Sequence, residues 1–307
     1  MITILEGVGL LCAILVVYYL VKNFFVLLYE CISRPINLQK QGKWAVITGA
    51  TDGIGKAFAE ALAAKEINII LISRSMNKLQ TVAEHLETKY NVETRVIEAD
   101  FSKVLETYQH IKKQVFGYEI GILVNNVGLS YPHPEYFLDL PNSDIIYSGI
   151  INCNIYAITN MCKIVMPGMV KQKKGVVINI SSTAARIPSP LLTVYGASKA
   201  FVEKFSIDLS TEYKQHGITV QCLLPGYVAT KMSKIRKSTW MAPTPEDYVS
   251  QALKTTGIRN TCTGYYPHSM LVTVIHCIQY FSPQCATFII IQVMETVRKR
   301  ALARQMS

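Results

Sequence analysis

The sequence predicts an α/β fold in which helices cover both faces of a doubly wound parallel sheet, with an N-terminal transmembrane helix and a hydrophobic C-terminal extension. From Trp44 onward, short apolar runs alternate with longer segments of helical period. A glycine-rich turn separates the first run from the first helix, and the chain opens on a nearly unbroken apolar stretch. The length of 307 residues suits one large domain with appendages.

The apolar stretch covers residues 2–21 and is interrupted only by Thr3 and Glu6. A helix of about 20 residues spans roughly 30 Å, the thickness of one hydrocarbon core, so residues 1–30 are predicted to be a membrane anchor. A cleaved signal peptide is the alternative, but a basic start and a small-residue cleavage site are both missing. Basic side chains follow the segment and none precedes it, which predicts a cytosolic catalytic domain.

The strand-like runs have the length and β-branched content of buried parallel strands. Helix-period segments of about one dozen residues or more lie between them, as right-handed crossovers require. The predicted strands are residues 44–48, 67–73, 94–98, 120–125, 175–181 and 218–224, and the predicted helices start near Gly53, Met76, Ser102, Asn142 and Val194.

The turn after the first strand reads TGATDGIG, residues 48–55. Glycines allow a tight turn and a close approach of backbone to a pyrophosphate, and the following helix N-terminus offers amide hydrogens and partial positive charge. A glycine-rich turn between a first strand and a first helix therefore predicts a dinucleotide site. The candidate contacts in the turn are Gly49, Thr51, Asp52, Gly53, Ile54 and Gly55.

The second strand ends in Ser73 and Arg74. A site for NAD usually places a carboxylate here, whereas a hydroxyl and a guanidinium suit the 2′-phosphate of NADP. We therefore predict NADPH as the cofactor, although Arg74 as a solvated loop charge remains an alternative.

Tyr195 and Lys199 are four residues apart in the helix-compatible run TVYGASKAF. One helical turn separates them, so their polar ends lie on one face. An ammonium beside a phenol lowers the pKa of the phenol, which would make Tyr195 an effective proton donor near neutral pH. A tyrosine ring that merely covers a lysine stem is the structural alternative.

The motifs TGATDGIG (48–55), NNVG (125–128), NISS (179–182) and YGASK (195–199) occur in this order. In this the chain resembles the short-chain dehydrogenase/reductase superfamily over about residues 43–265, which implies a Rossmann fold. Within it, the stretches WAVITGATDGIGKAFAEALA, IGILVNNVG, PEYFLDLP and KIRK resemble the branch of very-long-chain 3-oxoacyl-CoA reductase and 17-beta-hydroxysteroid dehydrogenase types 12 and 3. An N-terminal membrane anchor is typical of that branch.

The resemblance implies roles for the catalytic set. Tyr195 would give a proton to the carbonyl oxygen, and Ser182 would hydrogen-bond that oxygen. Lys199 would lower the pKa of Tyr195 and hold the nicotinamide ribose, and Asn154 would complete the set through a water link to the lysine. A phenol and a hydroxyl that stabilise the forming alkoxide make a metal unnecessary.

The resemblance also implies further cofactor contacts. Asp100 would meet the adenine, Asn126 would support the central strands, and Val228 and Thr230 would contact the carboxamide. The resemblance also makes Gly128, Pro225 and Tyr195 contacts of the cofactor.

Composition limits the partners. The net charge of +10 favours an acidic one, but the basic residues form no long run and do not interleave with aromatics, which argues against nucleic acid. The eight cysteines show no metal-binding spacing. A mean hydropathy of +0.23 favours contact with membrane lipid.

Two segments bear on the substrate and the membrane. The stretch between Gly226 and the next helix, residues 227–245, is predicted to form a lid, whose Lys231, Lys234, Arg236 and Lys237 could bind coenzyme A phosphates or simply face water or lipid. The C-terminal segment, residues 266–307, is apolar over 270–294, which suits an interfacial or re-entrant element or a buried hydrophobic subdomain.

The expected function is reduction of a long-chain 3-oxoacyl-CoA by NADPH at the endoplasmic reticulum membrane, with the catalytic domain facing the cytosol and a homodimer possible. A ketosteroid reductase, acting as a 17-beta- or 20-beta-hydroxysteroid dehydrogenase, is the alternative among enzymes. A non-catalytic scaffold that binds NADPH or lipid is the alternative of another class.

Overall fold

The computed structural model describes residues 33–102 and 106–306, together with isolated positions between 7 and 28. More than half of the predicted anchor, residues 1–30, therefore lies outside the described residues, as do residues 103–105, where a helix is predicted to start near Ser102. Within the described part of the chain, no helix combines the length and the hydropathy needed to cross a bilayer.

A parallel sheet of seven strands forms the centre of the molecule, in the order β3-β2-β1-β4-β5-β6-β7. All of its pairings are parallel, and the strand residues are almost all buried, as their apolar composition predicts. The doubly wound sheet is thus confirmed, and β7 is a short addition that the sequence did not reveal. The strands are β1 (Trp44–Thr48), β2 (Asn68–Ser73), β3 (Thr94–Glu98), β4 (Ile120–Asn125), β5 (Gly175–Ile180), β6 (Ile218–Leu223) and β7 (Thr261–Cys262).

Helices cover both faces of the sheet, and strand side chains alternate between two cores. The helices are α1 (Gly53–Ala63), α2 (Met76–Tyr90), α3 (Glu106–Val115), α4 (Ser143–Ile151), α5 (Ala157–Gln172), α6 (Thr193–Tyr213), α7 (Pro245–Leu253), α8 (Tyr266–Phe281) and α9 (Pro283–Met306). Ala45 and Ile47 of β1 pack with α1, α2 and α7 on one face, whereas Val46 packs with α3, α5 and α6 on the other.

A π-helical turn, Asn152–Tyr156, joins α4 directly to α5. Such turns insert one extra residue into a helix and are frequent at functional sites. Here the turn contains Asn154, whose side chain is fully buried.

The C-terminal segment is a pair of helices that meet at Ser282 and Pro283. Val272, Ala286 and Ile290 are buried against the rest of the molecule. The pair also exposes many large apolar side chains, so a wholly buried subdomain is not what the structure shows. The exposed ones are Tyr266, Met270, Val274, Tyr280, Phe281, Phe288, Ile289, Val293 and Val297.

Candidate active site

The predicted catalytic residues meet at the carboxyl end of the sheet, where parallel α/β sheets bind ligands. Ser182 follows β5, Tyr195 and Lys199 lie in the first turns of α6, and Asn154 comes from the π-helical turn. The backbone N–H of Val194 donates to the hydroxyl of Tyr131 over 3.1 Å, which fixes the start of α6. Helix and strand ends thus hold all of the set on rigid elements.

Tyr195 is half-buried beside Ser182. Burial raises the pKa of the Tyr195 phenol, and the hydrogen bond from Ser182 opposes that rise. The net direction is opposite to the lowered pKa expected from the Lys199 pairing, because loss of solvent outweighs the other effects. The two hydroxyls nonetheless lie side by side, an arrangement that suits joint donation to a single oxygen atom.

Lys199 is buried, with 4% of its surface exposed. Its ammonium donates to the carbonyl of Ile180 over 3.0 Å and lies 5.8 Å from the centre of the Tyr195 ring. Burial lowers the pKa of Lys199 to about 8. The lysine is thus mostly protonated at pH 7 and lies next to the phenol, as predicted.

Asn154 is held by three hydrogen bonds. Its Oδ1 accepts from the backbone N–H of Leu129 over 2.8 Å, while its Nδ2 donates to the carbonyl of Leu129 over 3.0 Å and to Ser198 Oγ over 2.9 Å. A Cβ built on Gly128 would lie 3.2 Å from Asn154 Oδ1 and 3.4 Å from Lys199 Nζ. The asparagine and the lysine therefore approach each other at Gly128, where a side chain would intrude.

The glycine turn has the geometry that a dinucleotide needs. Gly49 and Gly53 have φ of +65° and +52°, in the left-handed region that favours glycine. A Cβ on Gly55 would come within 2.3 Å of the carbonyl oxygen of Gly49, so α1 packs directly on the turn. Asp52 is the N-cap of α1 and accepts from Gly53 N–H over 2.8 Å. This close, side-chain-free approach of a helix N-terminus fits a cofactor pyrophosphate.

Neighbouring residues hold the turn in place. Asn126 Nδ2 donates to the carbonyls of Thr48 and Gly49 over 3.1 and 3.2 Å, which supports its expected role between the central strands. The hydroxyls of Thr51 and Ser73 are 3.0 Å apart. Ile54 is partly buried and packs against the core beneath the turn.

Arg74 and Asp100 lie farther along the same edge of the sheet. Arg74 is exposed just after β2, at the predicted position for a 2′-phosphate. Asp100 accepts from the N–H and the hydroxyl of Ser102 over 3.0 and 2.7 Å.

The lid is the segment 226–243, which leaves the sheet after Pro225. The carbonyl of Pro225 accepts from Thr183 N–H over 2.9 Å, so the lid begins beside Ser182. Val228 is buried, and a Cβ on Gly53 would lie 3.0 Å from Thr230 Cγ2. Thr230 thus lies against the glycine turn, whereas Val228 is part of the buried core on the same face of the sheet.

A cavity of about 1040 Å³ is lined by residues of the lid, the glycine turn, α1 and α7. Lys56, Lys231, Lys234 and Arg236 line it together with Asp52 and Glu246, so cations predominate. At the tip of the lid, Lys234 Nζ donates to the carbonyl of Pro132 over 2.8 Å, which joins the lid to the loop after β4.

Several residues that shape this site have no role in the predictions made from the sequence. Ser198 accepts from Asn154 and donates to the carbonyl of Tyr195 over 2.7 Å, although it lies inside the recognised motif. Glu135, beside the cleft, is buried and paired with Arg298 of α9 at 2.5 Å. His268 of α8 is fully buried against the lid. Glu135 and His268 are far in sequence from the residues that they contact, so no local sequence pattern predicts these contacts.

Comparison with known proteins agrees with this geometry. The model of the short chain dehydrogenase family matches residues 43–240. Very-long-chain 3-oxoacyl-CoA reductase-A of Danio rerio is 51% identical over 232 residues, which cover 76% of this chain and 72% of that protein. The very-long-chain 3-oxoacyl-CoA reductase of Homo sapiens is 48% identical over 234 residues, covering 76% and 75%.

Solved structures show the same fold. A 7beta-hydroxysteroid dehydrogenase is 28% identical, with a TM-score of 0.71 over 78% of this chain and 93% of that one. A short-chain dehydrogenase from Sphingobium yanoikuyae in complex with NADPH is 26% identical, with a TM-score of 0.62 over 69% and 83%. With a serine, tyrosine and lysine gathered beside a glycine turn, and with these relatives, the chain belongs to the short-chain dehydrogenase/reductase family of NAD(P)-dependent oxidoreductases.

Proposed function

We propose that this protein reduces the 3-oxo group of a long-chain 3-oxoacyl-CoA to a 3-hydroxy group with NADPH. The observation that carries the proposal is the gathering of Tyr195, Ser182 and Lys199 at the carboxyl end of the sheet, in a chain about half identical to very-long-chain 3-oxoacyl-CoA reductases. Without that set, a scaffold that only binds NADPH or lipid would explain the fold equally well.

In the proposed mechanism, the hydroxyls of Ser182 and Tyr195 hold the substrate oxygen and stabilise the charge that forms on it. Tyr195 gives that oxygen its proton, and the Lys199 ammonium stabilises the phenolate that remains. NADPH, when bound, supplies the hydride. The glycine turn, Ser73 and Arg74 would hold the cofactor, and Asn154 keeps the loop after β4 in place beside Lys199.

The lid cations support a substrate that carries phosphates. Lys231, Lys234 and Arg236 line one cavity, and Lys231 also lies 3.0 Å from Asp52. Met232 and Trp240 of the same lid are exposed and offer apolar surface to an acyl chain. The lid thus combines the cationic and the apolar character of an acyl-CoA.

The direct test is a panel of 3-oxoacyl-CoAs of increasing chain length, their N-acetylcysteamine thioesters and several ketosteroids, with NADPH oxidation followed by absorbance. We expect the highest kcat/KM for a long-chain CoA ester and a clear loss for the matched thioester, which lacks the phosphates. A higher kcat/KM for a steroid than for every CoA ester would refute the proposed substrate.

Substitution of the lid cations separates their role from that of the cofactor site. Arg236→Ala is expected to raise the KM for the CoA ester about tenfold or more, since one lost charge-assisted hydrogen bond is worth roughly 1.5–3 kcal/mol. KM for the N-acetylcysteamine thioester would stay the same. Lys214→Ala, on the surface after α6, is the matched control.

A ketosteroid reductase is the second candidate, and the similarity to a 7beta-hydroxysteroid dehydrogenase favours it. The identity of 28% to that protein is well below the 51% to a 3-oxoacyl-CoA reductase, so the acyl-CoA comes first. The same panel decides between the two.

The proposed location is the endoplasmic reticulum membrane, with the catalytic domain in the cytosol. The apolar residues 2–21, the exposed apolar side chains of α8 and α9, and the basic side chains of Arg298, Lys299 and Arg300 support it. In intact microsomes, trypsin should cleave the domain, and carbonate washing should leave the full chain in the membrane. A domain protected from trypsin until detergent is added would contradict this orientation.

A homodimer is also proposed, because α4 and α6 leave apolar side chains exposed. Ile145, Ile151, Phe201 and Ile207 are between 38% and 76% exposed. Light scattering of the detergent-solubilised protein should give twice the chain mass after correction for detergent, and Phe201→Lys should halve it.

A further inference from the structure

His268, in the first turn of α8, is fully buried and uses both nitrogens of its ring. Its Nδ1 lies 3.1 Å from the backbone nitrogen of Gly226, which donates to it. Its Nε2 lies 3.1 Å from the carbonyl oxygen of Tyr227 and 3.2 Å from that of Met241. One side chain thus contacts the backbone at three places.

These contacts fix the protonation state of the ring. Since Gly226 N–H donates to Nδ1, that nitrogen carries no proton, and Nε2 carries the proton that it shares between the two carbonyls. Burial lowers the pKa of His268, in agreement with a neutral ring at pH 7. The titratable side chains around the ring are the phenols of Tyr248 and Tyr265, with ring centres 6.0 and 5.0 Å away.

The three contacts lie at opposite ends of the lid. Gly226 and Tyr227 begin the lid after β6, whereas Met241 lies near its end, just before α7. Tyr265 adds a bond to the same end, because its hydroxyl donates to the carbonyl of Trp240 over 3.3 Å. The start of α8 therefore ties together the two points between which the lid loops out.

Gly226 permits this arrangement. A Cβ at that position would lie 2.8 Å from His268 Cδ2, closer than real Cβ atoms approach, and 3.1 Å from its Cγ, which is a tight contact. The ring can reach the backbone of the lid only because position 226 has no side chain.

We propose that His268 is a positioning residue that holds both ends of the lid together and thereby keeps Thr230 against the glycine turn. The proposal rests on the proposed cofactor role of Thr230. His268 touches neither the reacting atoms nor the lid cations, so it acts only through the backbone of the lid.

The test compares His268→Gln and His268→Asn with the wild-type chain in detergent. The Gln side chain can still donate to the carbonyls from near the Nε2 position, whereas the Asn side chain can still accept from Gly226 near the Nδ1 position. The control is His276→Gln, since His276 also lies in α8 and also bonds a backbone carbonyl, that of Arg186 over 3.1 Å, but does not touch the lid.

Two readouts follow the lid without requiring turnover. Trypsin can cut in the lid after Lys231, Lys234, Arg236 or Lys237, and mass spectrometry identifies those cuts. NADPH fluorescence gives the Kd of the cofactor. Each His268 variant loses part of the clamp, so we expect lid cleavage about tenfold faster and a Kd several-fold higher, with the His276 variant unchanged.

Gly226→Ala provides an independent route to the same state, because the added methyl group displaces the intact ring. It should reproduce the faster lid cleavage, and combining it with His268→Gln should add little. Folded His268 variants with wild-type cleavage rates and NADPH affinity would overturn the proposal. If wild-type protein fails to bind NADPH, the proposed function fails, while lid cleavage still reports on the clamp.

Discussion

Tyr195 is the proposed proton donor, and phenylalanine differs from tyrosine only in lacking the hydroxyl group. Replacing it by Phe removes the proton donor and leaves the shape of the ring, so we expect kcat to fall by at least about 100-fold, the usual contribution of a general acid. The Kd for NADPH should stay within about twofold. Tyr213→Phe, at the far end of the same helix, is the matched control. Equal turnover by the Tyr195 variant and the wild type would exclude the proposed role.

We expect the buried charge of Lys199, which the proposed chemistry requires, to lower the free energy of unfolding of the protein. Burial lowers its pKa from 10.5 to about 8, which corresponds to roughly 3 kcal/mol of unfavourable burial of the charged form below pH 8. We expect Lys199→Met to be inactive, yet more stable than the wild type at pH 7 by up to about that amount.

The pH dependence of the free energy of unfolding tests this expectation. Between pH 8 and 10.5 the folded lysine is neutral while the unfolded one is charged, so the wild-type free energy of unfolding gains on that of the variant as pH rises. Urea unfolding of both proteins at pH 7 and pH 10 measures the difference, which should shrink at pH 10. A constant difference would mean that Lys199 is not buried as a charge.

At the same scale, the sequence predicted which side chains meet but not their energetics. The spacing of Tyr195 and Lys199 places them on one face, and they do lie together. The lowered pKa of the phenol did not follow, because the sequence does not reveal how much solvent each group loses.

Among the elements, α1 depends on glycine for its position against the turn. A Cβ on Gly55 would come within 2.3 Å of Gly49 O and 2.4 Å of Asn126 Nδ2. Both residues belong to the predicted cofactor site. Gly55→Ala should therefore raise the NADPH Kd at least about tenfold, since it moves backbone as well as a side chain. Calorimetric titration measures it.

Gly168→Ala is the matched control, because Gly168 lies in α5 with no atom within 4 Å of an added Cβ. It should leave cofactor binding unchanged and raise the free energy of unfolding by roughly 0.5–1 kcal/mol, the helix preference of alanine over glycine. Equal NADPH affinity of the Gly55 variant and this control would contradict the packing argument.

Long elements could be read from the chain, and short or irregular ones could not. The run at 120–125 predicts β4 residue for residue, because both faces of a central strand demand apolar side chains. Thr261–Cys262 is too short to show a period, and the π-helical turn has the same composition as the α-helix around it. Thr244 is the N-cap of α7, where its hydroxyl accepts from Asp247 N–H over 3.1 Å, and threonine is a residue type that favours this position.

For the molecule as a whole, the bond between Glu135 and Arg298 links residues 163 positions apart. Burial alone would raise the pKa of Glu135, but the hydrogen bonds from Arg298 and from Tyr136 N–H more than offset it, and the pKa is lowered. Arg298→Met leaves this buried carboxylate without its cation and should cost about 3 kcal/mol of unfolding free energy.

The double variant, with Glu135→Gln added, should recover most of that loss, because no unpaired charge remains. Chemical denaturation of the wild type, both single variants and the double variant gives the coupling energy. Simple additivity of the two single effects would contradict a direct interaction.

Contacts between residues this far apart in the sequence could not be predicted from the sequence. The pattern of strands and helices fixes the sheet, and the sheet brings Ser182, Tyr195 and Lys199 together through neighbouring elements. The contacts of α8 with the lid and of α9 with Glu135 depend on how the C-terminal segment folds back onto the rest of the molecule. No spacing in the sequence records that Gly226 makes room for His268.

The π-helical turn makes the site sensitive to the number of residues in a helix as well as to their identity. Deleting one residue from Asn152–Tyr156 would restore regular α-helical hydrogen bonding from α4 into α5. It would also rotate α4 by about 100° against α5, which is one residue's turn of an α-helix. The side chain of Asn154 would then lose its bonds to Leu129 and Ser198, so we expect any shortening at the centre of this helix to disrupt the site.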